Sequence, residues 1–137
     1  MTNPVYMLDT NIISEALRNP SGPLVRYVAR FDVGLIATSA IVASEMRYGA
    51  CKKGSPRLSE RVEQILGRIE ILPYDDNASR HFAEIRTDLE RRGQQIGWGD
   101  YFIAAHARSL GMTLVSNNTR EFASVADLKL ENWLEAP

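Results

Sequence analysis

The sequence is poor in the residues that staple or anchor a chain. Cys51 is the sole cysteine, which excludes an internal disulfide framework. With one thiol and two histidines, His81 and His106, it shows none of the ligand spacings that zinc needs. No apolar run is long enough to span a bilayer, and no basic segment leads into an apolar one near the start. Membrane contact is therefore not expected, and cytoplasmic residence is. An excess of one charge is missing too: 16 Lys+Arg stand against 17 Asp+Glu, a formal net charge of −1. Such a chain has no general attraction for a polyanion, so any contact with nucleic acid must be a local patch. Internal repeats, linkers and low-complexity tracts are also lacking. The 137 residues, with an apolar share of 45%, read as one domain with a sizeable core.

What the chain does have is a regular alternation of short apolar runs and helical stripes. Val5-Tyr6-Met7-Leu8, Leu35-Ile36-Ala37, Ile69 to Pro73 and Met112-Thr113-Leu114-Val115 are each too short for a helix and apolar enough to be buried on both faces. Between them, apolar residues recur at helical spacing. Ile12, Ile13, Ala16 and Leu17 form one stripe, Leu58, Val62, Ile65 and Leu66 another, and Ala78, Phe82, Ile85 and Leu89 a third. Leu128 to Leu134 supplies a last edge strand and an apolar anchor. Strands separated by helices predict an α/β fold whose central, mostly parallel sheet is flanked by helices on both faces.

Acids stand where these elements meet. Asp9 follows the first apolar run and precedes Thr10 and Asn11, small polar residues able to cap the next helix. The positive field of that helix start is expected to favour the ionised carboxylate. Glu45 lies in the helix after Thr38-Ser39, and Asp100 heads the helix through Tyr101 to Ala107 after a Gly-punctuated loop. In a parallel sheet the carboxyl ends of the strands share one edge, which brings Asp9 and the polar cluster Ser116-Asn117-Asn118 to one crevice. Glu45 and Asp100 join them if their helices present those faces to it. Three carboxylates so close repel unless a proton or cation intervenes. All-oxygen ligation suits Mg²⁺, with Mn²⁺ able to substitute.

The same residues carry a resemblance to a known family. Met7-Leu8-Asp9-Thr10-Asn11-Ile12-Ile13-Ser14 resembles the opening motif of PIN-domain ribonucleases of the VapC toxin type. Ser44-Glu45-Met46-Arg47-Tyr48-Gly49, Asp100 with Ile103-Ala104-Ala105-His106-Ala107, and Leu114-Val115-Ser116-Asn117-Asn118-Thr119-Arg120-Glu121-Phe122 are similar to its later motifs, in order. Glu131-Asn132-Trp133 resembles its ending. The resemblance implies a single PIN-like domain over residues 1–137 that acts as a Mg²⁺-dependent endoribonuclease, with Asp9, Glu45 and Asp100 as catalytic and metal-binding acids and transfer RNA as substrate class. It also implies a cognate antitoxin protein, operator DNA reached only through that antitoxin, and a homodimer. Two departures stand out. Asn118 occupies a position where many relatives have Asp, with Glu121 nearby as a substitute, and Trp98-Gly99 precedes Asp100 where relatives often have Asn.

Blander roles compete at several positions. Thr10, Asn11 and Ser116 read as groups that orient or cap rather than ligate. Asn118 suits turn chemistry as well as a site, and Glu121 divides evenly between surface pairing and an outer role. His106 lies off Asp100's helix face and reads as a packed or surface histidine rather than a base. For Trp98, local packing is preferred over stacking on a base. Cys51 is an incidental thiol. A haloacid-dehalogenase-like phosphatase would need a second Asp at position 11, which is Asn. A weakly catalytic or non-catalytic PIN-like module that binds RNA or a partner is the other alternative.

Overall fold

A computed structural model describes residues 3–135. Five strands run β1 (Tyr6–Leu8), β2 (Ile36–Ser39), β3 (Glu70–Leu72), β4 (Thr113–Val115) and β5 (Lys129–Glu131). Seven helices join them: α1 (Thr10–Arg18), α2 (Pro23–Val28), α3 (Ala40–Lys53), α4 (Pro56–Leu66), α5 (Asp76–Arg91), α6 (Trp98–Ser109) and α7 (Thr119–Phe122). The sheet order is β3-β2-β1-β4-β5, and every pairing is parallel. The expected parallel character thus extends to all five strands.

Strand β1 is central because its residues tolerate burial on both faces. Met7 pairs with Ala37 on one side and Leu114 on the other, and all three are fully buried. From β1 the chain steps outward to β2 and β3, then crosses back over to β4 and on to β5. Since parallel crossovers are right-handed, α1 to α4 cover one face, and α5 to α7 the other. The reversal of direction falls between β1 and β4. Their carboxyl ends therefore splay apart into a crevice, the switch point at which such sheets bind ligands.

Local chemistry sets the ends of the elements. Ser55, Asp75 and Ser39 each accept from a backbone N–H at the start of α4, α5 and α3, and Gly54 closes α3 in the left-handed conformation that glycine tolerates (φ 64°). The tail acts as the anchor its composition suggests. Trp133 is 3% exposed and stacks on Phe31 at 4.8 Å, with Tyr6 and Tyr27 edge-on at 5.0 and 5.4 Å, which ties the C-terminal end to β1. Helix α6 differs from expectation: it begins at Trp98, so Asp100 lies inside its first turn rather than at its head. Extended Gly97 is the cap, and its carbonyl accepts from Tyr101 N–H at 3.1 Å.

His106 is a packed residue, 1% exposed. Its Nδ1 lies 2.7 Å from Ser39 Oγ, which also accepts from Ile41 N–H at 3.0 Å. Donation of the hydroxyl proton to Nδ1 lets Ser39 Oγ donate and accept at once, and burial, which pulls the imidazole below its ordinary range, favours its neutral form, with Nε2 buried and unpartnered among the described residues. One hydroxyl thus caps α3 and pins α6 to β2. Ser39→Ala is expected to cost about 2–3 kcal/mol, the sum of a lost cap and an orphaned ring nitrogen. Urea unfolding of Ser39→Ala and Ser39→Thr measures this; the threonine variant should recover most of the loss, and an alanine variant as stable as wild type contradicts the assignment.

Candidate active site

Asp9 follows the last residue of β1, and its backbone N–H donates to Val115 O at 2.9 Å, which continues the β1/β4 ladder to the brink of the crevice. It is the cap of α1, with Oδ1 accepting from Thr10 N–H at 2.7 Å. Thr10 and Asn11 therefore sit inside the helix instead of capping it. Oδ2 accepts from the Ser116 hydroxyl at 2.8 Å, and Ser116, wholly buried after β4, holds the carboxylate from behind. Asp9 is 3% exposed. Burial pushes its carboxyl above the usual carboxylate range, the Ser116 and Thr10 hydrogen bonds pull the other way, and Glu45 pushes it further up. The expected downward pull of the helix start and the two donors is present but outweighed by desolvation, so the shift is upward.

Glu45 and Asp100 reach the same place from two other helices. Glu45, exposed on α3, accepts from the Thr10 hydroxyl at 2.8 Å. The first turn of α6 comes against it so closely that a Cβ at Gly99 would stand 3.0 Å from Glu45 Oε2. Asp100, half-buried, projects from that same turn, and burial followed by the charges of Asp9, Glu121 and Glu45 pushes its carboxyl to about 7. Asp9, Glu45 and Asp100, together with Thr10, Asn11, Ser14 and Arg18, line one open cavity of about 270 Å³.

The remaining predicted residues divide into two groups. Asn11 lines the cavity, and its Oδ1 is a buried acceptor with no partner among the described residues. Asn118 and Glu121 stand at the periphery: the Asn118 amide donates to Glu121 Oε2 at 3.1 Å and lies 3.4 Å from Asp100 Oδ2, while its backbone N–H donates to Ser116 Oγ. Ser14 and Arg18 were missed by sequence reasoning. They were legible as a polar stripe on α1, since Asn11, Ser14 and Arg18 fall three and four residues apart, on one helix face. Arg18 is the one cation lining the cavity, ion-paired with Glu15 at 3.2 Å.

The donor set fits a hard divalent cation. It contains only oxygens, places three carboxylates around one solvent-open space, and leaves the Asn11 amide oxygen unpaired. Among the described residues no three acids are already drawn into a ligating cluster; Asp100 is raised first by burial and then by the neighbouring negative charges, and it is that second part that a cation would relieve.

Residues 6–128 match the PIN domain family. A relative from Haemophilus influenzae, named ribonuclease VapC2, is 43% identical over 131 residues, which cover 94% of this chain and 98% of the relative. One from Shigella flexneri, named tRNA(fMet)-specific endonuclease VapC, is 40% identical over 93% of this chain and 97% of its own. Among solved structures, a chain of the DNA-bound VapBC complex from Salmonella typhimurium superposes with a TM-score of 0.89 at 35% identity, over 97% of this chain and 99% of that one.

The raised Asp100 has a consequence for stability. Because its folded value of about 7 exceeds the ordinary 3.8, the folded state binds that proton more tightly than the unfolded chain does. The resulting stabilisation is present in full below about pH 4 and is lost as pH rises through 7. Asp100→Asn stays neutral and is expected to stabilise the metal-free protein at pH 8 by about 1–2 kcal/mol after allowance for solvent screening. The gap to wild type should close toward pH 4. Thermal unfolding in EDTA across this range measures it, and a variant no more stable than wild type at pH 8 would contradict the electrostatic picture.

Proposed function

The chain belongs to the PIN domain family, and on that premise we propose that it is a VapC-type toxin, an endoribonuclease that hydrolyses RNA phosphodiester bonds with Mg²⁺, or Mn²⁺ in its place, and takes transfer RNA as its substrate class. The observation that carries this reading is the convergence of Asp9, Glu45 and Asp100, from three separate elements, on one open cavity at the β1/β4 switch point. The ribonuclease and tRNA(fMet)-specific endonuclease names of relatives at 43% and 40% identity support it.

In this reading Asp9, Glu45 and Asp100 hold the cation. When bound, that ion supplies Lewis-acid chemistry: it makes a water a better nucleophile and offsets charge on the scissile phosphate. The protein's contribution is orientation. Ser116 and the Thr10 backbone fix both oxygens of Asp9, and the Thr10 hydroxyl turns Glu45 toward the cavity. Asn118 donates toward Asp100 and Glu121 and, being an amide, takes no proton from water. Arg18, at the cavity wall, is placed to meet an incoming phosphate. Glycine at position 99 lets α6 approach Glu45 without displacing its carboxylate.

The toxin reading brings partners with it. A protein antitoxin is the expected partner, with operator DNA bound through it, in keeping with the DNA-bound complex of the Salmonella typhimurium relative. The active form is proposed to be a homodimer.

Total transfer RNA incubated with the purified chain in Mg²⁺ or Mn²⁺ is expected to yield discrete fragments. Excess EDTA should abolish them. Asp9→Asn should lower cleavage by at least about a hundred-fold while leaving the melting temperature at or above that of wild type. Undiminished cleavage by that variant would refute the site assignment, and RNA bound but intact in saturating Mn²⁺ would favour the non-catalytic binding module.

A further inference from the structure

Between the two glycines that abut the acids stands one very large side chain. A Cβ at Gly97 would lie 3.3 Å from Asp100 Oδ2, and one at Gly99 would lie 3.0 Å from Glu45 Oε2. Trp98 is thus the one side chain of the Gly97–Gly99 stretch that leads into Asp100. Local packing, preferred on sequence grounds, accounts for only part of it. The Arg86 guanidinium lies 3.9 Å from the centre of the indole ring, and Phe82 and Phe102 flank it at 6.4 Å. Even so, Trp98 remains 63% exposed. Arg86 is itself held by Glu90, Nε to Oε2 at 3.2 Å, so the indole is braced by a fixed guanidinium while most of its surface stays open to solvent.

A substrate must find its affinity in such places. The chain has a net charge of −1, and the cavity that Asp100 lines holds three acids and one arginine, so electrostatics does not draw a polyanion in. A π-face, by contrast, attracts any base whatever its sequence, and a guanidinium on the far side strengthens an aromatic platform. We infer that Trp98 is a base-stacking residue of the RNA site: its exposed ring, two residues from Asp100, takes one nucleobase of the substrate and so positions the adjoining phosphate at Asp9, Glu45 and Asp100. The ligand class rests on the endoribonuclease reading above; the stacking itself rests on the exposed, braced indole in the same first turn of α6 as Asp100. It is a positioning role, expected to act on substrate binding far more than on the chemical step.

Two measurements on the full chain test this. The first uses fluorescence. Trp133 is buried and Trp98 exposed, so a Trp98→Phe variant records the background of Trp133 alone. In an Asp9→Asn protein with Mg²⁺, titration with total transfer RNA should quench the Trp98 component, and Trp98→Phe should remove that quench. The second measures cleavage of the same RNA: Trp98→Ala should raise KM by about ten-fold with kcat changed less than about two-fold, and Trp98→Phe should restore most of the loss. An unchanged KM for Trp98→Ala, or no quench of the Trp98 component, overturns the proposal. So does a variant whose only defect is a changed oligomeric state or weaker capture by a co-expressed antitoxin, since the indole would then belong to a protein interface. Failure of the endoribonuclease reading looks different: wild type leaves RNA intact in Mg²⁺ and Mn²⁺ while transfer RNA still quenches Trp98, an outcome that supports stacking without catalysis.

Discussion

Three carboxylates are kept within reach of one another, and the structure around them is a means of tolerating that repulsion. Asp9 is the most constrained: buried at the end of the central strand, it gives one oxygen to the start of α1 and the other to Ser116. Those two hydrogen bonds do not offset its desolvation, and the carboxyl stays harder to ionise than a free one. Asp100 carries the larger shared burden, since the charges of Asp9, Glu121 and Glu45 add to its own burial. A site strained in this way is poised for a counter-charge, and its openness to solvent lets one enter.

The sheet makes this arrangement possible. Order β3-β2-β1-β4-β5 puts the reversal of direction beside β1, so the residues just after β1 and β4 meet at a gap instead of being covered by a crossover. Helices α3 and α6 then bring in an acid each, one from either side of the sheet. Their approach depends on features remote from the acids themselves. Ser39 joins the start of α3 to His106 in the body of α6, and Gly99 allows the first turn of α6 to lie against Glu45. Rigid elements thus aim flexible carboxylates, an economy that suits a site where charge must be held before substrate arrives.

Much of this was legible in the chain. Apolar runs of strand length separated by helical stripes gave all five strands and the open parallel architecture, and the placement of Asp9 after the first run followed from where Leu8 ends. Other features were not legible. Thr10 and Asn11 looked like caps, yet Asp9 performs that task, because choice among adjacent capping residues turns on one residue's backbone angle. Helix α6 starts at Trp98 because Gly97 adopts an extended conformation, although a Gly-Trp-Gly stretch reads as loop. Arg18 went unnoticed as a wall of the cavity, since an arginine near a helix end reads first as a solvated charge.

The sequence alone determined the local grammar: which runs are strands, which stripes are helical, and that Asp9 and Ser116 stand at strand ends, since strand and helix periodicity and capping act over a few neighbouring residues. Only the tertiary structure decided that Glu45 and Asp100 turn inward to join Asp9, that Asp9 resists ionisation, and that Trp98 stands open beside them. Those outcomes depend on how helices far apart in the chain cross the sheet, and on how much water the packed elements leave around each charge, quantities to which no local pattern responds.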